Sequence, residues 1–582
     1  MPALYLILTI TLPWLGGLVV WGLGNERPKA QHLTAIGFSL ASVVAALALP
    51  FFSSNKVVLA VPMGERFGEF TFIPDGLGIF LAIIATGVGS LAVIFSKDYM
   101  EDEPELGRYY SMVLLFIGAM AGLVLTGSLL ALFLFWEITA FCSYTLIAFH
   151  NDDPKAVAGG IKALIITQVG GIGLLVGALA INAQLGSYQI SDFLARSDEL
   201  NPTILSFIAF TFLIAAIAKS AQVPLHTWLP DAMEAPTPVS ALIHAATMVN
   251  AGVYLLIRFY PSLQEVPGWS ISVIIVGFLS ALIGGLQACF THDLKRALAY
   301  STISQLGYMI YAIGVGAIFA SQFHLLNHSI FKALLFLGAG AVIHSLDVRD
   351  MRKMGGLRKR MPFVFWAFLV GSLALAGVPL ANGFFSKELI LEVGFVHGPT
   401  WVYLGMLVAT MLTAFYTTRM LGLVFYGPEA FQKIHLGNQT AIKISLAVLS
   451  IGALTTWVLA GPFSQMLLAS LPFHTWHHTS TVEILAELIS APATWITLLL
   501  IALGAGVWVV WRNRGGKLKE DAPVVAFIQS GLGFEQLNSS IVRLTRGSSS
   551  ATRITQTGHL QWNLIGIVGA LFLSLCLIVF GA

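Results

Sequence analysis

The chain has 582 residues, of which 57% are apolar and only 10% charged, with a mean hydropathy of +0.82. Soluble domains carry about 25% charged residues, so this composition excludes a soluble globular protein and reads as an all-α polytopic membrane protein. The net charge of +2 says little in itself, whereas the placement of the charges is informative.

Sixteen apolar segments follow one another: roughly 3–23, 32–53, 75–96, 109–127, 129–149, 160–182, 203–222, 237–259, 268–290, 297–318, 322–345, 362–383, 401–424, 441–462, 492–511 and 562–582. Most have the ~20 residues a helix needs to cross ~30 Å of hydrocarbon. The first lacks a basic leading region and a small-residue cleavage site, so it reads as a retained span. Loops on one side hold 21 Lys and Arg. The other side has four: Lys56, Arg66, Arg196 and the helix-end Arg258. That asymmetry predicts an even number of spans with both termini non-cytoplasmic. Cys142, Cys289 and Cys576 are isolated in apolar runs and read as small buried residues, with no cluster-ligand spacing.

Six basic residues fall inside or at the edge of apolar segments. Arg419 and Lys443 lie near cytoplasmic helix ends, where they can snorkel. Lys162 is ambiguous. Lys219, Lys332 and Lys387 need another account, because a charge at membrane depth costs about 2.5–3.5 kcal/mol on insertion scales.

Glu137 sits near the middle of the fifth segment, the only acid well inside segments one to eleven. It reads as an ion-pair partner for Lys219, or as a neutral carboxyl holding one hydrogen bond. Lys219 ends an apolar run that breaks at Pro224. His244, about two turns into the eighth segment, is placed to continue a polar path. Ser301, Thr302, Ser304 and Gln305 in the tenth can hold waters or simply satisfy helix backbone.

In the eleventh segment His324, His328 and Lys332 follow i, i+4, i+8 spacing, one stripe about 12 Å long with ~6 Å between neighbours. The pattern points to a proton relay. A metal site competes, since an i, i+4 His pair supplies two ligands, but no third ligand lies near in sequence. The twelfth segment breaks at Pro379 and Asn382-Gly383 before Lys387. Two interrupted helices five segments apart, each with a lysine at the break, predict two inverted five-helix repeats. They divide the chain into N-terminal helices at 1–108, a first half-channel at 109–259, a second at 268–424, and C-terminal helices at 425–582 with a basic amphipathic connection over 512–560.

Several motifs together resemble the antiporter-like subunits shared by respiratory complex I, membrane-bound hydrogenases and Mrp-type cation/proton antiporters. They are Phe135-Trp-Glu137-Ile, the run from Lys219 through Val-Pro-Leu-His-Thr-Trp-Leu-Pro-Asp231 to His244, Asp293-Leu-Lys295 to Gln305, His324 to Lys332, and Asn382-Gly-Phe-Phe-Ser-Lys387. The resemblance covers about 70–425. It implies that Glu137 and Lys219 pair in a first half-channel and that Lys332 and Lys387 carry the second, with His244, Lys295, His324 and His328 as relay members.

Where the distal pumping subunit of complex I resembles Thr-Arg-Val-Gly-Asp, this chain has Thr167-Gln168-Val-Gly-Gly171. One charge pair is thereby removed, which favours the Mrp branch of the family or a related hydrogenase or transporter subunit. The resemblance implies a proton-translocating subunit with other membrane subunits as partners, moving H⁺ and with Na⁺ or K⁺ left open, in a prokaryotic-type inner membrane. It implies no cofactor, no metal and no nucleic acid. Rivals are a chain that itself binds quinone or a cluster, for which no ligand set appears, and a structural subunit with a vestigial polar axis.

Overall fold

The computed structural model describes residues 1–65, 67–431, 433–435, 437, 439–470, 474, 479–515 and 522–553. It contains two compact units, 1–518 and 519–582. Thirteen helices in the first unit are long and apolar enough to cross a membrane. They are α1 (Pro2–Leu23), α2 (Pro28–Phe52), α3 (Gly76–Tyr99), α4 (Leu106–Leu125), α5 (Leu129–Ile147), α6 (Pro154–Leu185), α7 (Pro202–Lys219), α8 (Thr237–Leu263), α9 (Trp269–Phe290), α11 (Ile318–Leu346), α14 (Thr400–Phe425), α15 (Thr440–Leu468) and α16 (Pro492–Asn513). Between them lie the more polar α10 (Leu294–Gly314) and the paired α12 (Pro362–Ala376) and α13 (Asn382–His397). The expected segments from 3–23 to 492–511 each correspond to one of these elements, except that 362–383 covers α12 and the start of α13, and the segment at 562–582 lies outside the described residues.

Local chemistry sets the helix starts. Proline occupies the first turn of α1, α2, α6, α7, α12 and α16, where its missing N–H costs nothing. Asp75, Asp153, Asn201 and Asp293 accept from first-turn amides of α3, α6, α7 and α10. Asp98 caps at long range: its carboxylate accepts from Ala441 N at 2.7 Å and so starts α15.

Small residues set the packing. Gly277 and Gly284 of α9 meet the backbone of α10 at Tyr311 and Tyr300, and Gly307 of α10 meets Ala281 in return. A Cβ at any of the three would come within 2.3–2.7 Å of a backbone atom. In a bilayer such close approach is what binds helices, because lipid gives no hydrophobic drive between them.

A short hairpin of β1 (Leu59–Pro62) and β2 (Glu69–Phe72) accompanies the helices without forming a sheet domain. It is seated by Gly127 N donating to Thr71 O at 2.8 Å. The second unit, in its described residues, has helices at Pro523–Gln529 and Phe534–Arg553. The longer one carries Leu537, Ile541 and Leu544 at helical spacing, all exposed, with Arg543 and Arg546.

The twelfth apolar segment is not one helix. α12 stops at Gly377, which adopts a left-handed conformation (φ 82°), and α13 starts at Asn382. Pro379 lies between them, so the interruption sits where the sequence placed it.

Candidate functional site

Several ionisable side chains are buried in the first unit, two of them beside the breaks that follow α7 and separate α12 from α13. Lys219, His244, His328, Lys332 and Lys387 expose none of their surface, and His324 and Lys295 almost none. An ammonium in such a place must find acceptors or an aromatic face.

Lys219 is the last residue of α7. Its Nζ donates to the backbone carbonyl of Trp136 on α5 at 2.8 Å and lies 4.9 Å from the centre of the Trp136 ring. The loop after it returns to close the helix end: Trp228 Nε1 donates to Ala218 O at 3.0 Å and Gln222 N to Ile217 O at 2.9 Å. The expected ion pair with Glu137 is not formed. Glu137 is half-buried and turns to α6, where one carboxylate oxygen accepts from Gln168 Nε2. The other occupies the hollow left by Gly171, where a Cβ would stand 2.0 Å from it. Lys219 and Glu137 are thus neighbours through Trp136 without touching. The reason is that a backbone carbonyl and an indole face already satisfy the ammonium.

His244 lies where α8 widens into a π-turn over Leu242–Ala246, between the rings of Trp228 and Phe336, each 6.1 Å away. Such turns free backbone groups, and Asn250 Nδ2 uses one of them, donating to Ala245 O at 3.2 Å. The same amide donates to Ser329 Oγ of α11 at 3.1 Å, tying the two halves beside His244.

Lys332 stands at the midpoint of α11, about 21 Å of helix rise from either end. Its Nζ donates to Leu298 O at 3.2 Å and to Ser301 Oγ of α10. The polar run in the tenth segment therefore holds a lysine. His324 and His328 have ring centres 6.3 Å apart, as the stripe requires. His324 is bracketed by Gln305 Oε1 at 3.2 Å on Nε2 and by Ser386 Oγ at 2.9 Å on Nδ1. Both ring nitrogens of His324 thus face a hydrogen-bonding group.

Lys387, in the second turn of α13, has its Nζ 5.0 Å above the Tyr308 ring. Glu388 beside it is buried and faces the other way, accepting from Thr497 Oγ1 of α16 at 2.7 Å. The sequence showed this acid next to Lys387 without assigning it a part.

At the basic end, Lys295 Nζ donates to Ala235 O at 2.5 Å. Around it Lys162 pairs with Asp231 at 2.7 Å, and Arg349 with Glu234 at 2.6 Å and Asp293 at 2.9 Å. Arg296 lies between, 3.6 Å from Asp231 and 3.8 Å from Glu234. Lys162 is thereby accounted for. In the adjoining loop, burial opposes ionisation of Asp350, yet the Arg352 guanidinium and backbone N–H outweigh it and hold that carboxyl below its usual range.

Two basic residues differ from expectation. Arg419 does not snorkel: it is buried, and Nη1 donates to Thr291 O at 2.6 Å, closing the end of α9. Arg258 lies near the end of α8, as expected, but is buried there and chelated by Asp75, with Nη2 3.0 Å from Oδ1. Asp75, like Glu388, is a buried acid, and a long-range pairing conceals it from sequence spacing. Lys443 is exposed, as a snorkelling residue should be. Among the described residues no group of three or more His, Cys, Asp or Glu is arranged to hold a metal.

Comparison with known proteins places these features. Residues 126–413 match the family model described as NADH:quinone oxidoreductase/Mrp antiporter, TM, and residues 64–110 match NADH-ubiquinone oxidoreductase (complex I), chain 5 N-terminus. The chain is 35% identical to NADH-quinone oxidoreductase subunit L of Escherichia coli (strain K12), across 99% of both. It is 42% identical to NAD(P)H-quinone oxidoreductase chain 5 of Synechocystis sp. over 62% of this chain, and it spans 55% of that relative. A chain of the Mrp complex from Dietzia sp. superposes with a TM-score of 0.82 at 28% identity, over all of this chain and 63% of that one. The protein belongs to the proton-translocating, antiporter-like membrane subunits common to NADH:quinone oxidoreductases and Mrp antiporters.

Proposed function

We propose that this chain moves protons across the bilayer along the line Glu137, Lys219, His244, Lys332, His328, His324 and Lys387. Lys295 serves the path at the basic end, and other membrane subunits complete the assembly. The observation that carries the reading is the burial of these lysines and histidines inside the helical bundle, with backbone carbonyls, hydroxyls and ring faces as their neighbours. Ionisable groups cost too much at membrane depth to persist there without use. Lysine and imidazole bind and release protons, whereas an ammonium cannot ligate a metal cation, so the axis is assigned to H⁺. A coupled Na⁺ or K⁺ would use other groups.

The line divides into two halves of similar layout, residues 109–259 and 268–424, each with a broken fourth helix. In the inner membrane of a prokaryotic-type cell, the basic loops would lie in the cytoplasm and both termini outside. The end-to-end match to a quinone oxidoreductase subunit favours a redox-driven assembly, with the redox chemistry in partner subunits.

Lys332→Ala in the intact assembly tests the axis at its centre. Proton uptake into vesicles is expected to fall at least about tenfold, the equivalent of about 1.4 kcal/mol, with the assembly still purified whole. Uptake at the wild-type rate overturns the proposal.

A further inference from the structure

A closed ring of hydrogen bonds beside the second half of the axis joins three helices. Asn327 of α11 donates through Nδ2 to the backbone carbonyl of Asn382, the first residue of α13, at 3.2 Å. Asn382 Nδ2 donates to Thr456 Oγ1 of α15 at 2.9 Å. The Thr456 hydroxyl in turn reaches Asn327 Oδ1 at 3.0 Å. Both asparagines are fully buried, and Thr456 begins a 3₁₀ turn, Thr456–Leu459, that interrupts α15. The ring therefore links the gap between α12 and α13 to a second irregularity in another helix.

Its location gives it a role. Asn327 stands between His324 and His328 on α11. Asn382 stands one turn before Ser386, whose hydroxyl lies 2.9 Å from His324 Nδ1, and Lys387 follows directly. Whatever sets the height and rotation of the first turn of α13 against α11 also sets whether Ser386 meets His324. The break is irregular: it contains Leu380 at φ 79°, and turn bonds replace the helical ladder after Gly377, from Val378 N to Leu373 O at 2.9 Å and from Ala381 N to Val378 O at 3.3 Å. The ring adds side-chain bonds to a first turn that the Gly383–Ala374 contact already seats. A neutral buried hydrogen bond is also directional, unlike the apolar packing around it.

Thr456 has one hydroxyl proton and two acceptors for it, Asn327 Oδ1 and Gly452 O at 2.9 Å. With the proton on Asn327 the ring is closed. With it on Gly452, the ring is open and α15 regains an internal bond.

We propose that Thr456, with Asn327 and Asn382, is a positioning residue for proton transfer: its hydroxyl locks the first turn of α13 so that Ser386 and Lys387 stay in line with His324. This inference rests on the proton path proposed above and adds to it a helix that contributes no ionisable group to the axis.

The test uses the whole assembly, with Thr456→Val as the isosteric variant lacking the hydroxyl, Thr456→Ala as a second, and Thr456→Ser as the conservative one. Amide hydrogen exchange over 382–387 reads the position of the turn without requiring transport. Exchange there should rise about tenfold in Thr456→Val and Thr456→Ala, proton uptake should fall by a similar factor, and Thr456→Ser should restore both.

The proposal is overturned by unchanged exchange in Thr456→Val and Thr456→Ala, by faster exchange with wild-type uptake, or by Thr456→Ser behaving as Thr456→Val. Lys332→Ala runs alongside as a control. Wild-type uptake by that variant overturns the path itself. Loss of uptake in Lys332→Ala with wild-type behaviour in Thr456→Val overturns only the positioning role.

Discussion

The two broken helices hold their lysines at opposite ends of a helical piece. Lys219 closes α7, so its ammonium lies at a helix C-terminus, where aligned carbonyl dipoles attract a cation. It also has a backbone carbonyl within hydrogen-bond reach. Lys387 sits in the second turn of α13, near a helix N-terminus, where the dipole repels a cation, and its near neighbour is the Tyr308 ring. The nearby acids differ as well: Glu137 is half-buried towards α6, Glu388 fully buried against α16. The same side chain thus meets two environments, a helix C-terminus with a main-chain acceptor and a helix N-terminus with an aromatic face.

The largest expected effect separates the breaks by what packs against them. A Cβ at Gly383 would stand 2.0 Å from Ala374 O and 2.7 Å from Ala374 C, backbone atoms across the α12–α13 gap. Nothing flexible can yield there, so Gly383→Ala is expected to cost about 3 kcal/mol or more and reduce the amount of assembled protein. At Gly171 the clash is with the tip of the Glu137 side chain, which can swing away. Gly171→Ala should assemble normally while proton uptake falls about tenfold, or ~1.4 kcal/mol in the barrier. Quantifying assembled complex and vesicle uptake for both variants checks the contrast. Loss of assembly in Gly171→Ala would refute it.

This contrast also marks what was legible in the sequence. Apolar runs of about 20 residues located the spans, and Pro379 with Asn382-Gly383 located the second break, because those signals are local. The i, i+4, i+8 stripe gave the His324–His328 spacing for the same reason. Partners were not legible when they were backbone. The carbonyl of Trp136 that holds Lys219, and that of Thr291 that holds Arg419, carry no residue-type signal. Pairs distant in the chain, such as Asp75 with Arg258 across 183 positions, were hidden too. Hence the sequence suggested an ion pair for Lys219 where a main-chain acceptor serves.

A medium effect is expected where the halves meet at the basic end. Arg349 joins Glu234, from the first half, to Asp293, from the second. Its side chain is 29% exposed, so the full penalty for breaking a buried pair does not apply. Arg349→Ala should lower stability by about 1–3 kcal/mol, read as a fall in the thermal midpoint of the purified assembly. Lys162→Ala removes a contact made by the first half alone and should matter less. If the two variants are equally mild, the network does not hold the halves together.

The smallest effect concerns the loop that carries Arg349. Residues 349–351 pair with the start of α10, through Leu294 N to Arg349 O at 3.0 Å and Met351 N to His292 O at 2.9 Å. Asp350 in this loop is held below its ordinary carboxylate range because Arg352 outweighs the burial. A carboxyl whose native pKa is depressed stabilises the fold above its unfolded pKa of about 3.9, and that contribution disappears as pH falls through the lower native value. Amide protection over 347–354 should therefore persist to about pH 4 and decline only in more acidic buffer. In Arg352→Ala the guanidinium's share of the depression is removed while burial and the backbone N–H remain, so protection should begin to fail at a higher pH than in the wild type. An identical pH dependence in the two proteins would show that Asp350 does not hold this loop against α10, leaving Arg349 as its ionic anchor.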